Sequence, residues 1–265
     1  MVERPTVVDL EAHKSFSRFV KTLGNYALEP PPISDFVTFG AMPRAVLAGA
    51  ALLVLASGAT QSDPLVPFHP VERRNRSANQ DGAALAARTK GRPDAPVTVY
   101  EMSDFQCPYC RAFALGTMPL LEREYVQAGK VRFVYINLPL SSLHKNAATA
   151  AEVALCAARQ QRFWPMHDLL FRHQDQWAPL ASPQASLLAL GDSAGLDHAQ
   201  LARCVASRAT AADVRADSER ARRSGATSTP TFYIEGALLE GAAPVTVFRA
   251  VLDSIYQSKT AAGAR

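Results

Sequence analysis

The sequence predicts a mixed α/β domain in which a β-α-β half and a β-β-α half are separated by a long helical segment. Four short runs rich in β-branched and apolar residues, typical of strands, lie at 97–102, 131–138, 231–235 and 238–240. Helix-like segments at 108–127 and 244–257 each follow a strand-like run. Residues 145–225, between the second and third strand-like runs, are helix-like throughout. This order predicts an α/β fold with an all-helical insertion.

Proline and glycine set the boundaries of these elements. Pro108 suits the first position of a helix, and Gly129 is a stop signal at the end of that helix. Gly236 indicates a tight turn between the last two strands. Further breakers divide the helical segment into an expected four or five helices, and these are Pro165, Pro179, Pro183, Gly191 and Gly195.

The composition is that of an ordinary globular protein. Of the 265 residues, 48% are apolar and 20% are charged, and the formal net charge is +4. The basic residues are dispersed, and the densest group, Arg73, Arg74 and Arg76, lies in a segment without apolar periodicity. We interpret that group as part of a solvated linker, so we expect no nucleic-acid partner.

An apolar run at 45–59 indicates a targeting segment. Its 15 residues are fewer than the roughly 20 that a membrane-spanning helix needs. Arg44 is a charged flank, and small residues at Ser57 and Ala59 favour signal-peptide cleavage after Ala59. Met42 then becomes the translation start, with residues 1–41 an over-long gene prediction. Two alternatives remain, namely an uncleaved membrane anchor behind a cytoplasmic tail and a buried core helix in a cytosolic protein.

The domain organisation follows from these segments. Residues 1–41 are an uncertain extension, and 42–59 are a signal peptide or membrane anchor. We expect 60–92, with its prolines and arginines, to be a flexible linker that ends in a cluster of breakers at 91–96. The folded domain is then expected at 93–260.

The sharpest local motif is the Cys-Pro-Tyr-Cys sequence from Cys107 to Cys110 at the start of the first helix. The unpaired N–H groups and dipole of a helix N-terminus stabilise an anion, which favours a thiolate at Cys107. Cys110 lies one turn further in, so we expect it to be more buried. We therefore predict Cys107 as the attacking thiol and Cys110 as the resolving thiol, with Pro108 and Tyr109 as the dipeptide between them.

Two other interpretations of the motif are half of a zinc site and an inert structural disulfide. A zinc site needs four ligands, commonly a second close cysteine pair or two histidines at short spacing. Cys156 and Cys204 are 48 positions apart, and His167 and His173 do not have knuckle spacing. We therefore expect redox chemistry and no metal.

Four short motifs, in family order along the chain, resemble the DsbA-like branch of the thioredoxin superfamily. They are Ala95–Val99, Ser103–Cys110, Phe163–Phe171 and Thr229–Phe232. The resemblance covers about residues 90 to 258 and implies a thioredoxin fold with an inserted helical domain at about 145–224. Glutaredoxins share the Cys-Pro-Tyr-Cys sequence but lack the insertion. Here 120 positions separate Cys110 from Pro230, which leaves room for it.

The resemblance also implies roles for residues outside the motif. It implies a cis peptide bond at Thr229-Pro230, which would place the Thr229 backbone beside the cysteines, where it could pair with an extended peptide substrate. It suggests a structural disulfide between Cys156 and Cys204, with two buried free thiols as the alternative.

Several further polar and aromatic side chains have weaker assignments. Glu101 and Asp104 could tune the pKa of Cys110, and Glu101 is the better candidate if its side chain points inward. We expect His144 to begin a surface helix, with the rim of the active site as the alternative. His167 is expected to be half-buried core, and Trp177 to serve packing.

The leading hypothesis is an extracytoplasmic dithiol oxidase that donates the Cys107–Cys110 disulfide to exported cysteine-containing proteins. A membrane redox partner would restore the disulfide, and no flavin, metal or nucleotide is needed. The alternatives are a reductase or isomerase that uses the same site, and a non-catalytic chaperone or assembly factor. Isomerases of this superfamily dimerise through an added domain, which 60–90 is too short to supply. We therefore rank the isomerase lower and expect a monomer.

Overall fold

The computed structural model describes residues 85–263. Its strands are β1 (Thr89–Lys90), β2 (Val97–Ser103), β3 (Val131–Asn137), β4 (Thr231–Ile234) and β5 (Ala237–Glu240). Helix α1 runs from 108 to 126, with α-helical parts at Pro108–Ala112 and Met118–Leu121 and π-helical turns at Phe113–Thr117 and Glu122–Val126. The later helices are α2 (Ala147–Ala158), α3 (Phe163–Arg172), α4 (Gln174–Trp177), α5 (Gln184–Ser193), α6 (His198–Ala206), α7 (Ala211–Arg223) and α8 (Val245–Gly263).

The five strands form one sheet in the order β1-β3-β2-β4-β5. Strands β2 and β3 are parallel because α1 returns the chain to the starting edge, and the other neighbouring pairs are antiparallel. The β4–β5 hairpin turns at Glu235 and Gly236, both of which have positive φ. This is the thioredoxin fold with a helical insertion between β3 and β4, as expected.

Alternating side chains place two apolar cores on opposite faces of the sheet. Phe133 and Phe232 point to the face covered by α1 and α8, where they meet buried side chains such as Phe113 and Phe248. Val134 is adjacent to Phe133 in the chain but belongs to the core on the other face.

A third core lies inside the helical insertion and extends to the cysteine motif. It contains Phe163, Phe171 and Trp177 from α3 and α4, together with Cys107 and Cys110. The insertion therefore covers the motif with packed aromatic side chains.

The structure contains a disulfide between Cys156 on α2 and Cys204 on α6, with the two Cα atoms 5.9 Å apart. This bond joins two helices of the insertion across 48 positions of sequence.

The insertion contains six helices, so the expected four or five was too few. Two of the breaks occur after α2 and α6, where Gln161 and Arg208 adopt positive φ. Each break is closed by hydrogen bonds back to the last turn, for example from Arg162 N–H to Ala157 O. Because neither residue is a glycine or proline, the usual signals for helix ends were absent.

Sequence reasoning also missed β1, whose two residues it assigned to the linker. Thr89 and Lys90 pair antiparallel with Val134 and Phe133. The adjacent Arg88 is buried and hydrogen-bonds the Asp217 carboxylate. Residues 88–90, which the sequence assigns to the linker, are therefore part of the described fold.

The predicted extension at 1–41, the targeting segment at 42–59 and residues 60–84 of the expected linker lie outside the described residues. Within 85–263, none of the helices combines the length and the apolar character needed to cross a membrane.

Candidate active site

Cys107 immediately precedes α1 and has extended backbone angles, and Pro108 occupies the first helical position. The N–H of Cys107 donates to Asp104 O at 3.1 Å, which fixes the residue as α1 begins. Because the first N–H groups of a helix have no helical acceptor, they are available to a negative charge on Cys107. The local sequence thus places this sulfur where a thiolate is stabilised.

The surroundings of Cys107 lower the pKa of its thiol to about 6. The largest contribution is a hydrogen bond from the Cys110 thiol, and burial opposes it. Thr229 and the backbone N–H groups of Cys110 and Tyr109 lower this pKa further. An ordinary cysteine thiol has a pKa near 9 and is protonated at neutral pH. Because the pKa of Cys107 lies below neutral pH, an appreciable fraction of Cys107 is thiolate there.

Cys110 has the opposite character, because its side chain is fully buried. Burial raises the pKa of Cys110, and the charge that develops on Cys107 raises it further. The sulfur accepts a hydrogen bond from the Asp104 N–H at 3.4 Å. Both free thiols are buried, with Cys107 4% and Cys110 0% exposed, and they differ in acidity: the pKa of Cys107 is lowered and that of Cys110 is raised.

The loop before β4 closes the other side of Cys107. The Thr229-Pro230 peptide bond is cis, and the Cys107 thiol donates to Thr229 O at 3.4 Å. Tyr109, within the motif, is 51% exposed at the surface. A ligand that reaches the Cys107 sulfur thus also approaches the backbone of the cis-proline loop.

Asp104 connects the motif to the chain that follows β3. Its Oδ1 accepts the Gln106 N–H at 2.7 Å, and its Oδ2 accepts the Leu140 N–H at 2.8 Å. The same Oδ2 lies 2.8 Å from His144 Nδ1. The structure therefore places His144 against the active-site loop, whereas the sequence favours the start of a surface helix.

Glu101 lies on β2 and is buried, with no hydrogen-bond partner for its Oε1. Burial raises the pKa of this carboxyl to about 7, and Ser103 and Lys90 oppose the rise. Its register partner on β3 is Tyr135, whose pKa is raised well above its usual value by burial and by Glu101. The contributions to the pKa shift of Cys110 come from its burial and from Cys107, Ser103 and Asp104, so tuning by Glu101 stays a prediction.

Two residues that sequence reasoning did not select hold the insertion against the motif. Gln174 Nε2 donates to Phe105 O at 2.8 Å and to Cys107 O at 3.1 Å. Asn146 donates its N–H to Gln106 Oε1 at 2.8 Å. Neither residue belongs to a motif, so nothing in the sequence pattern distinguishes them.

Trp177 and His167 both belong to the core of the insertion. Trp177 is fully buried, and its indole N–H donates to Leu170 O at 2.8 Å. His167 is also fully buried, whereas the sequence predicts a half-buried position. Within residues 85–263, no three His, Cys, Asp or Glu side chains converge on a site that could hold a metal ion.

A protein-family model described as Thioredoxin matches residues 84–254, which is more than half of the chain. The chain belongs to the thioredoxin family. Its relatives include a "Probable disulfide bond formation protein D" of Bacillus anthracis, 28% identical over 175 residues, which cover 65% of this chain and 81% of the relative. Taken with the fold, this makes the chain a DsbA-like member of the thioredoxin superfamily.

A second relative is the "Na(+)/H(+) antiporter NhaA 3" of Salinispora tropica, 37% identical over 169 residues. The match covers 64% of this chain but only 24% of the antiporter, so this thioredoxin-family chain spans about a quarter of that relative's length. The function named for the antiporter is therefore not transferred to this chain.

Solved structures agree on the fold. The oxidised form of BdbD from Bacillus subtilis superposes with a TM-score of 0.60 at 23% identity, over 64% of this chain and 92% of BdbD. Further fold neighbours carry the name DsbA. At this identity the likeness concerns the fold alone.

Proposed function

We propose that this chain is a thiol–disulfide oxidoreductase in which Cys107 exchanges with substrate thiols and Cys110 completes the disulfide. The observation that carries the proposal is the opposite shift of the two thiol pKa values, with Cys107 lowered to about 6 and Cys110 raised. Thiol–disulfide exchange requires one thiolate that attacks and a second thiol that resolves the mixed disulfide. The cysteine pair itself is the redox centre, so no other cofactor enters the reaction.

We further propose that the exchange runs in the oxidising direction. A substrate thiolate attacks the Cys107 sulfur of the disulfide form, and the electron pair of the broken S–S bond goes to Cys110. A second substrate thiolate then attacks the substrate sulfur of the mixed disulfide, and Cys107 leaves as a thiolate. A stable Cys107 thiolate favours the reduced form of the protein, which is the property of a strong oxidant.

Thr229 and Pro230 are proposed to bind the substrate backbone. Thr229 O already accepts the Cys107 thiol, so an extended peptide joined to Cys107 would pass directly beside it. Hydrogen bonds to the substrate backbone depend little on the substrate's side chains. The proposed substrates are therefore a broad class of exported proteins that contain cysteine.

The proposed compartment is extracytoplasmic, and the Cys156–Cys204 disulfide supports this. Disulfides persist in oxidising compartments and are rare in the cytosol. Reoxidation of the Cys107–Cys110 pair would then fall to a membrane redox partner. The proposed targeting segment at 42–59, cleaved or retained as an anchor, would deliver the domain to that compartment.

The deciding experiment equilibrates the full chain in glutathione buffers and measures the reduction potential of the cysteine pair. A value of about −120 mV would support the oxidase, whereas about −270 mV would place the protein at the reductant end. The non-catalytic alternative is tested with Cys107→Ala in the oxidative refolding of a reduced substrate protein. We expect that variant to lose activity, and full activity would refute a redox role.

A further inference from the structure

One side chain of the insertion reaches the backbone of the cysteine motif. Gln174, the first residue of α4, donates from Nε2 to Phe105 O at 2.8 Å and to Cys107 O at 3.1 Å. An amide NH2 group carries two hydrogens, so this glutamine can satisfy both carbonyl groups at once. Gln174 is buried, as are Phe105 and Cys107, so these hydrogen bonds form away from bulk water.

These hydrogen bonds complete the set that fixes the peptide planes on both sides of Cys107. The Cys107 N–H donates to Asp104 O at 3.1 Å, and the Cys107 carbonyl accepts the Arg111 N–H at 3.1 Å. Gln174 adds a second donor to this carbonyl, and that donor comes from outside the helix. Because both adjoining planes are held, the backbone angles of Cys107, φ −73° and ψ 126°, are fixed.

The direction of the Cys107 side chain follows from these backbone angles. The angles set the direction of the Cα–Cβ bond, and the sulfur lies one rotatable bond beyond it. At its observed position the Cys107 Sγ lies 3.4 Å from Thr229 O, and hydrogen bonds from Cys110 and the Tyr109 N–H lower its pKa. Hydrogen bonds weaken steeply when donor and acceptor are misaligned. A small rotation at Cys107 would therefore weaken several contacts that stabilise the thiolate.

Helix α4 is held in place by contacts that do not involve the Gln174 side chain. Trp177 is fully buried and donates from its indole N–H to Leu170 O at 2.8 Å. The Asp175 carboxylate accepts Arg111 Nη1 at 2.6 Å, and this pair joins α4 to α1. Removing the Gln174 amide should therefore leave α4 in position and change mainly the support of the motif backbone.

A second set of contacts joins the loop before Cys107 to the insertion. Gln106 donates from Nε2 to Ala178 O at 3.0 Å, and its Oε1 accepts the Asn146 N–H at 2.8 Å. Asn146 Nδ2 donates to the same Ala178 O at 3.0 Å. These three hydrogen bonds hold the loop against the insertion, but none of them ends on the Cys107 backbone. The contact with the Cys107 carbonyl is the contribution specific to Gln174.

We propose that Gln174 is a positioning residue through which the insertion orients the Cys107 sulfur for thiol exchange. Gln174 acts through the Cys107 carbonyl and does not touch the substrate. The inference rests on the proposed function, because the orientation of Cys107 matters to the reaction only if this thiol exchanges with substrate. A merely structural role would confine the effect of Gln174 to the stability of the fold.

The orientation of Cys107 should affect the redox equilibrium of the protein. In the reduced form Cys107 can carry a negative charge, whereas in the oxidised form its sulfur is bonded to Cys110 and is uncharged. Contacts that stabilise the thiolate therefore favour the reduced form alone. A misoriented sulfur should raise the pKa of Cys107 and make the protein a weaker oxidant.

The test compares the full-length Gln174→Met variant with the wild type. Methionine is similar in length and shape to glutamine but has no donor, so the change removes the two hydrogen bonds at nearly constant volume. The first readout is the ultraviolet absorbance of the thiolate as a function of pH, with the Cys107–Cys110 pair reduced. The midpoint reports the pKa of Cys107, and we expect it to rise in the variant.

The second readout is the equilibrium of the Cys107–Cys110 pair with glutathione at neutral pH. We expect Gln174→Met to shift the equilibrium constant about fivefold toward the oxidised protein, the change that results if Cys107 becomes an acid about tenfold weaker. Gln174→Asn has an amide that is one carbon shorter. It should change both readouts in the same direction, and it decides the question if Gln174→Met does not fold.

Gln160→Met is the matched control. Gln160 also lies in the insertion, and its side chain likewise binds backbone: Nε2 donates to Asp197 O at 3.3 Å, and Oε1 accepts the Asp197 N–H at 2.8 Å. The control therefore removes the same type of contact from a place where the partner is not the motif. It should leave the thiolate midpoint and the glutathione equilibrium as they are in the wild type, whatever its effect on thermal stability.

An unchanged midpoint or an unchanged glutathione equilibrium in the folded Gln174 variant would overturn the proposal and leave Gln174 as a structural link. Equal changes in Gln160→Met would also overturn it, since they would indicate a general loosening of the insertion. If the wild type itself does not exchange with glutathione, the proposed function fails. That outcome is distinct, because the thiolate midpoint is measured without any exchange reaction.

Discussion

Glu101→Gln should make the stability of the protein less dependent on pH. The buried carboxyl has a pKa of about 7, whereas the ordinary value is 4.5. Below pH 4.5 the group is protonated in both the folded and unfolded states. As the pH rises, the unfolded chain ionises first, so the stabilisation by protonated Glu101 is lost progressively up to about pH 7. At about 1.4 kcal/mol per pKa unit, the loss is about 3 kcal/mol.

The assay is urea unfolding at several pH values between 4.5 and 8. Both proteins carry Cys107→Ser, which prevents an active-site disulfide without a reductant that would also open Cys156–Cys204. We expect the free energy of unfolding of the protein that retains Glu101 to fall by about 3 kcal/mol across this range relative to the Glu101→Gln variant.

Glu124→Gln provides the control of opposite sign. The hydrogen bond from Arg249 lowers the pKa of Glu124, so its contribution to stability is present above the ordinary pKa and is lost as the pH falls. The Glu124→Gln variant, which retains Glu101, should therefore still show the fall in the free energy of unfolding between pH 4.5 and 8. If the free energy of unfolding changes with pH in the same way for the protein that retains Glu101 and for the Glu101→Gln variant, the reasoning that burial holds this carboxyl protonated is refuted.

Two further changes test the scaffold around the site. Replacing both Cys156 and Cys204 by alanine removes a cross-link over 48 positions, which should cost about 4 kcal/mol and lower the Tm by roughly 8–16 °C in thermal unfolding. A shift below about 2 °C would contradict this. Asp104→Ala leaves the Gln106 and Leu140 N–H groups without their acceptor, and urea unfolding should show a loss of about 3 kcal/mol. An unchanged midpoint would exclude Asp104 as a structural link.

The sheet and the cysteine motif could be predicted because their signals are local. The residues from Val97 onward are β-branched and apolar, which is typical of a strand. Pro108 marks the first turn of α1 directly after Cys107. Burial of Cys110 also follows from its place one turn into that helix. Each of these expectations depends on a few adjacent residues, so no long-range contact had to be known.

The rest depends on contacts between distant segments. His144 meets Asp104 across 40 positions, and a spacing of 40 predicts nothing about proximity. Strand β1 has only two residues, too few for an alternating pattern, and it is held by pairing with β3. Gln161 and Arg208 follow the ends of two helices and adopt a left-handed conformation, which their residue types do not predict.

The helical insertion buries both cysteines, and burial raises the pKa of each, but the hydrogen bonds that Cys107 receives reverse this effect at Cys107. Its aromatic core extends to Cys110, and Gln174 fixes the backbone at Cys107 from the side of the insertion. The same cover that keeps Cys110 protonated also separates it from water, so a proton cannot leave this thiol directly. Burial likewise raises the pKa of Glu101 on β2 to about 7, so exclusion of water, and not residue type alone, sets the acidity of these groups.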